Sequence, residues 1–201
     1  VHESGDFIEM EDVYLQFFED VLDMNEEISI ASVREYAESI RENIHYFLDE
    51  TNERRRFQYQ GNVRKILRKI GLRTLKNVVD LKRNVDVAYK QEPNYVVKKS
   101  RLKNLDEKRK GIKEMIRECE RMMEHEVVFF KMASDPEMER TCMNVRNDFT
   151  EADHNLLEIE HQIIDYINQI EQQSVLFKKI RKLKYLKDQL TWREDTNVVR
   201  V

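Results

Sequence analysis

The chain has 201 residues, of which 37% are charged and 40% hydrophobic, with a net charge of -4. Four glycines and two prolines are too few for the turns of an all-β or α/β domain. No apolar run approaches the roughly 18 residues of a membrane span, and the opening VHESGDF lacks the basic and apolar regions of a signal peptide.

The charged share exceeds the roughly 25% of ordinary globular chains, which implies a high ratio of surface to core. Regular apolar spacing argues against disorder as the source of that charge. The expectation is an all-α protein: an elongated antiparallel bundle of four to five long helices with coiled-coil-like seams. The absent initiator Met and the abrupt VVRV end point to a piece of a longer chain, and two cysteines ill-placed for a disulfide fit a reducing cytoplasm. Residues 1–201 then form one helical segment: an N-terminal helix and loop over 1–31, a long-helix bundle over 32–192 and a tail over 193–201.

The first amphipathic helix is expected from Ile8 to Met24, where Val13, Phe17, Val21 and Met24 recur at steps of three and four. Asn25 to Ala31 reads as a loop. Ser32-Val33-Arg34-Glu35 matches a capping box, followed by a seam at Val33, Ala37, Ile40, Ile44, Phe47 and Thr51. The seam weakens between Asn52 and Gly61, where a bend, a local exit from the core or a plain continuation are all compatible. It resumes at Val63, Ile66, Ile70, Leu75, Val78, Val85 and Tyr89, with a phase change near Gly71.

Glu92-Pro93-Asn94 breaks the helical pattern, because proline disfavours helix at the residue before it. A third long helix is expected from Tyr95 to Met132, with Leu102, Leu105, Ile112, Ile116, Cys119, Met123 and Phe130 inward. Ser134-Asp135-Pro136-Glu137 is a helix start. From there Met138, Cys142, Val145, Phe149, Ala152, Leu156, Ile159, Ile163, Tyr166 and Ile170 alternate steps of four and three. This helix should reach Leu190 or Trp192, a length of roughly 80 Å. Leu157, Ile164 and Ile167 flank its seam, either as the second half of a wide core stripe or as docking positions. Short connections at Pro93 and Pro136 force neighbouring helices to run antiparallel.

Cys119 and Cys142, the only cysteines, both sit on seams and out of level in the antiparallel arrangement. They read as free buried thiols in a reducing compartment.

Three Glu-x-x-His pairs, Glu42/His45, Glu151/His154 and Glu158/His161, have the spacing used by carboxylate-bridged di-metal bundles. Their positions relative to the seams put them toward solvent. His154-x3-Glu158-x2-His161 has the composition to hold a surface zinc ion. A phosphate-binding glycine loop, a Cys-x-x-Cys pair and a nucleophile elbow are all missing from the sequence. The reading is therefore non-enzymatic, without cofactor, metal or small-molecule substrate.

Charge is segregated. Val1 to Glu53 carries sixteen acidic residues against Arg34 and Arg41, whereas Arg54 to Arg83 carries eleven basic residues against Asp80. Lys98 to Lys113 adds eight basic against two acidic, and Lys178 to Lys187 six more basic. The antiparallel arrangement should bring Arg73–Arg83, Lys98–Lys113 and Lys178–Lys187 to one end. Candidate contacts to nucleic acid or an acidic partner are Arg54, Arg55, Arg56, Arg64, Lys65, Arg68, Lys69, Lys178, Lys179 and Arg181. Few aromatic residues interleave these stretches, which disfavours single-strand stacking. Complementary packing against the acidic N-terminal region is the alternative use of the same charge.

The stretch from Leu156 to Gln173 (LLEIEHQIIDYINQIEQQ), followed by Phe177-Lys178-Lys179-Ile180 and Trp192-Arg193-Glu194-Asp195-Thr196-Asn197-Val198, resembles the helical middle region of MukF-type kleisins. The related MksF and JetA proteins of bacterial condensin-like and Wadjet systems share that region, and the resemblance spans about half the chain. It implies a subunit without enzymatic activity that bridges an SMC-like ATPase dimer acting on chromosomes or plasmids. It implies no particular functional residue, and the winged-helix domains of such proteins have no counterpart in this sequence. Expected partners are an SMC-like ATPase or a second copy, with DNA as a further candidate and no membrane.

Overall fold

A computed structural model of the protein describes residues 28–128 and 135–199. The expected first helix, Ile8 to Met24, lies outside the described residues, as does Phe130. Every described element is helical: α1 (Ile30–Asp49), α2 (Glu53–Lys90), α3 (Tyr95–Met122), a π-helical turn (Met123–Val128) and α4 (Pro136–Val199).

α1 begins one turn earlier than the Ser32 capping box implies. Ser29 is the N-cap, and its hydroxyl accepts the Ser32 amide at 3.2 Å. Ile28, just before it, is buried in the core. An apolar anchor ahead of a capping serine fixes the entry of the chain and overrides the later box.

The weak seam after Thr51 is a complete reversal. Glu50 and Asn52 are extended, and the Asn52 side chain accepts the amides of Arg54 at 3.0 Å and Arg55 at 3.4 Å. Asparagine followed by glutamate is a helix start, so the stretch from Ser32 to the Pro93 break, where a bend, a local exit from the core and a continuation are all compatible with the sequence, is two helices. They run antiparallel: Asn62 donates to Asn43 at 3.0 Å, Arg56 lies 4.4 Å over the Phe47 ring, and further along Arg73 donates to the Tyr36 hydroxyl.

The other two breaks fall where the sequence places them. Asn94 caps α3 by accepting the amides of Val96 and Val97. Pro136 opens α4, with the Asp135 carboxylate accepting the Met138 amide at 3.4 Å. Lys99–Glu171 at 2.8 Å and Arg109–Glu160 at 3.6 Å set α3 antiparallel to α4. Arg64–Asp135 at one end and Tyr166–Asp86 at the other set α2 parallel to α4.

The core is the stripe between these helices. Val33, Ile40 and Ile44 of α1 share one buried cluster with Val63, Leu67, Ile70, Val78, Leu81 and Val85 of α2. Leu102, Ile112, Ile116 and Cys119 of α3 and every α4 seam residue from Met138 to Ile170 are buried. Thr51, expected on the α1 seam, is exposed beyond the helix end. Ile167 packs against the core, whereas Leu157 and Ile164 are about half exposed, so the wide stripe on α4 is narrower than the sequence implies.

Four buried polar side chains, Arg73, Arg109, Thr74 and Thr141, break the apolar rule. Arg109 takes the seam position between Leu105 and Ile112, and its buried guanidinium is held by Asp106 at 2.8 Å and by Glu160. Thr74 and Thr141 are buried with hydroxyls bonded to carbonyls four residues earlier, Ile70 and Glu137. At Gly71, buried in α2, a Cβ would stand 2.5 Å from the Asp148 carboxylate. The phase change read there in the sequence is a close approach of α2 and α4 within an unbroken helix.

The last packed layer joins α2 to α4 through two tyrosines. Tyr89 and Tyr166 stack with centroids 3.9 Å apart and planes 5° from parallel. Tyr166 donates to Asp86 at 2.8 Å and Tyr89 bonds Gln169 at 2.6 Å. Burial, then the Asp86 hydrogen bond, pushes the Tyr166 phenol up to about 12. Beyond Ile170, α4 continues to Val199, past the expected end at Trp192.

Candidate docking surface

The ten basic residues singled out in the sequence fall into two groups far apart. Arg54 to Lys69 occupy the first half of α2, level with the start of α4. Lys178, Lys179 and Arg181 stand some 40 residues further along α4, roughly 60 Å away. The α2–α3 turn is level with Gln169 and Glu171, so Lys178–Lys187 continue past that end of the packed helices and do not lie beside Arg73–Arg83.

Within the first group much of the charge is engaged locally. Arg64, with only 13% of its side chain exposed, pairs with Asp135 at 3.4 Å and Glu137 at 3.3 Å. Arg55 approaches Glu50 at 3.9 Å. Arg56 stacks on Phe47, and its Nε is buried without a hydrogen-bond partner. Lys69 lies 5.9 Å from the Tyr36 ring, and Arg54 is exposed at the helix start. Arg64, Lys65 and Arg68 share a recess of about 290 Å³ with Arg140 and Glu137 at the start of α4. Arg140 escapes the sequence reading because it lies between seam residues in an acidic helix start.

The Glu-x-x-His pairs lie on wet faces. Glu42, His45, Glu151, His154, Glu158 and His161 are all exposed. His45 faces Asp49 at 3.2 Å, and His154 faces Glu158 at 3.3 Å along the same helix. Among the described residues no group of three His, Cys, Asp or Glu is placed to hold a metal ion.

Both thiols are free and buried, and burial pushes the Cys119 thiol up to about 12 and also raises that of Cys142. Thiolate is the reactive form, so neither site suits nucleophilic chemistry. Three carboxyls at the α2–α3–α4 contacts are also raised. Burial raises Asp148 and, with Asp153 and Glu124 nearby, Glu120; burial raises Asp153 against the opposing pull of Lys113 and Arg117.

From Val175 to Trp192 α4 is exposed at every position. Val175, Leu176, Phe177, Ile180, Leu183, Tyr185, Leu186, Leu190 and Trp192 are each 47–65% exposed, while Ile163, about one turn before the last packed layer, is 2% exposed. Leu176, Ile180, Leu183 and Leu190 lie along one side at helical spacing. Lys178, Lys179, Arg181, Lys182, Lys184 and Lys187 surround them, with Arg181 4.8 Å over the Phe177 ring. The sequence reading took these residues for a basic stretch and passed over the apolar line inside it, which the three-and-four spacing alone identifies.

No described helix is long and apolar enough to cross a membrane. Compared with family models, curated proteins and solved structures, the chain matches none.

Proposed function

We propose that the chain is a non-enzymatic assembly module: a helical bundle with coiled-coil-like seams that holds out the second half of α4 as a docking arm. One observation carries this reading. From Val175 to Trp192 an apolar line continues the helix beyond its last packed layer, with every residue exposed. A contiguous apolar surface of that kind marks an interaction site. An amphipathic helix buries such a line by laying it into a partner groove.

The charge around the line selects the partner. Six basic residues between Lys178 and Lys187, with no acid among them, favour a helical protein partner whose apolar seam is flanked by carboxylates. They oppose pairing with a second copy, because like charges would be brought together along the seam. The kleisin-like patterning of Leu156–Gln173 agrees with a bridging subunit and makes an SMC-type ATPase the partner of choice.

The test is co-purification of tagged full chain from its native cells. Wild type should recover a long SMC-type ATPase; Leu183→Asp combined with Leu190→Asp should lose it while helicity and melting temperature stay unchanged. Equal recovery by both proteins, or recovery of no such ATPase, refutes the reading.

Direct DNA binding is the second reading, favoured by Lys178, Lys179 and Arg181 on the arm and by Lys65 and Arg68 in the recess with Arg140. Phosphate contacts would make duplex affinity fall steeply with salt. Reversing Lys178, Lys179 and Arg181 to glutamate should then abolish binding, while Arg54–Arg56 reversed separates the two basic groups.

A further inference from the structure

The first half of α2 and the start of α4 face each other across a recess of about 290 Å³. Its α2 wall is Gly61, Arg64, Lys65 and Arg68. Its α4 wall is Glu137, Arg140, Thr141 and Asn144. Each set runs i, i+3, i+4, i+7, so each is a single helical face. Arg64 ties the two walls together through Asp135 at 3.4 Å and Glu137 at 3.3 Å.

Elsewhere the bundle pairs cations with carboxylates of neighbouring turns or helices: Arg41 with Glu126, Lys99 with Glu171, Arg109 with Asp106. The recess departs from that pattern. Lys65, Arg68 and Arg140 make no ion pair among the described residues. Glu137 is the one acid among the described lining residues, and Arg64 already engages it. Even with Asp135 included, four cations meet two carboxylates. Like charges on facing walls repel, and an anion entering between them relieves that repulsion.

The donor set defines the ligand. Lys65 offers an ammonium, Arg68 and Arg140 offer planar guanidinium forks, and Asn144 adds a side-chain amide. The Thr141 hydroxyl is spent on the Glu137 carbonyl at 2.9 Å. Guanidinium forks match phosphate oxygens two at a time. A carboxylate brings one negative charge and leaves two of the three unpaired cations unmatched. A terminal phosphoryl group brings roughly two charges and three strong acceptor oxygens. A DNA duplex presents only singly charged diesters.

We propose that the α2–α4 recess binds a small phosphorylated ligand, a phosphate monoester or diphosphate, through Lys65, Arg68 and Arg140. Arg64, held by Asp135 and Glu137, positions the two walls. The site stands apart from the docking arm, which lies further along α4.

Isothermal titration calorimetry of the full chain with inorganic diphosphate, in magnesium-free buffer, tests it. Wild type should give a saturable heat with one diphosphate per chain, and acetate should not compete. Arg68→Gln combined with Arg140→Gln should weaken binding at least about tenfold, the effect of losing a charge-assisted hydrogen bond. Lys82→Gln combined with Lys103→Gln removes the same charge from exposed positions outside the recess. That pair should leave affinity within about twofold, because distant exposed charges are screened. Arg68 and Arg140 are exposed, and matching melting curves without ligand confirm that all three proteins are folded. No saturable heat with wild type, equal losses in the two double variants, or equal competition by acetate overturns the proposal. Duplex binding that is lost in the recess variant, without any binding of diphosphate, overturns it in favour of DNA.

Discussion

The two halves of α4 have the same helical geometry and opposite fates. From Met138 to Ile170 its seam residues are buried against α2 and α3; from Val175 to Trp192 a comparable line is exposed. The difference arises elsewhere in the chain. α2 has 38 residues and α4 has 64, and the turn after Lys90 ends the neighbours' reach at the level of Gln169. An apolar stripe thus reports that a helix has something to bury, and the lengths of its neighbours decide whether it is buried within the chain.

Substitution should separate the halves most sharply in their core positions. Phe149→Ala, at 0% exposure, should cost about 3–5 kcal/mol of unfolding free energy, and Ile163→Ala about 2–5 kcal/mol. Leu183→Ala on the arm should stay within about 0.5 kcal/mol. Denaturant titrations of the three variants measure this, and a comparable loss at Leu183 would mean that the arm is packed.

A second effect probes the close approach beneath the buried half. Gly71→Ala places a methyl 2.5 Å from Asp148 and should cost about 1–3 kcal/mol. Gly61→Ala meets only the Arg64 side chain at 3.7 Å and should not destabilise. Thermal melts of the pair check the contrast.

Tyr166→Phe removes the hydrogen bond to Asp86 in the last packed layer and should cost about 1 kcal/mol, read by urea titration. The same change at Tyr185, exposed on the arm, should have no measurable effect.

The smallest effect depends on pH. Burial raises the Asp148 carboxyl above its ordinary value, with Glu151 adding to the shift. A raised carboxyl binds its proton more tightly in the folded state. Its stabilising contribution is therefore complete below the unfolded pKa of 3.8 and is lost as pH rises through the folded value. Asp148→Asn should accordingly raise the melting temperature near neutral pH, with the gain shrinking on acidification toward the ordinary carboxylate range. A gain that does not change with pH would assign the effect to packing alone.

Much of this architecture is legible locally. Steps of three and four identify the seam of α4 to the residue, and proline with its flanking caps marks the breaks at Glu92–Asn94 and Ser134–Pro136. The reversal at Glu50–Asn52 was also written in the chain, as an asparagine cap followed by glutamate. It was obscured because the charged run Glu53–Arg56 reads equally well as a wet helical face. The candidate basic residues were legible as a composition and not as a site: Arg64 is spent on Asp135 and Glu137, Arg56 on Phe47, and the rest stand at two distant levels.

The amino-acid sequence by itself determined that this is an all-α chain of long amphipathic helices, because backbone hydrogen bonds and side-chain periodicity are set within a few residues. Tertiary structure alone decided which stripes are covered, why Arg109 fits a core position, and where Gly71 lets α4 pass. Those outcomes depend on residues 50 to 80 positions apart meeting at one level, which local spacing does not encode.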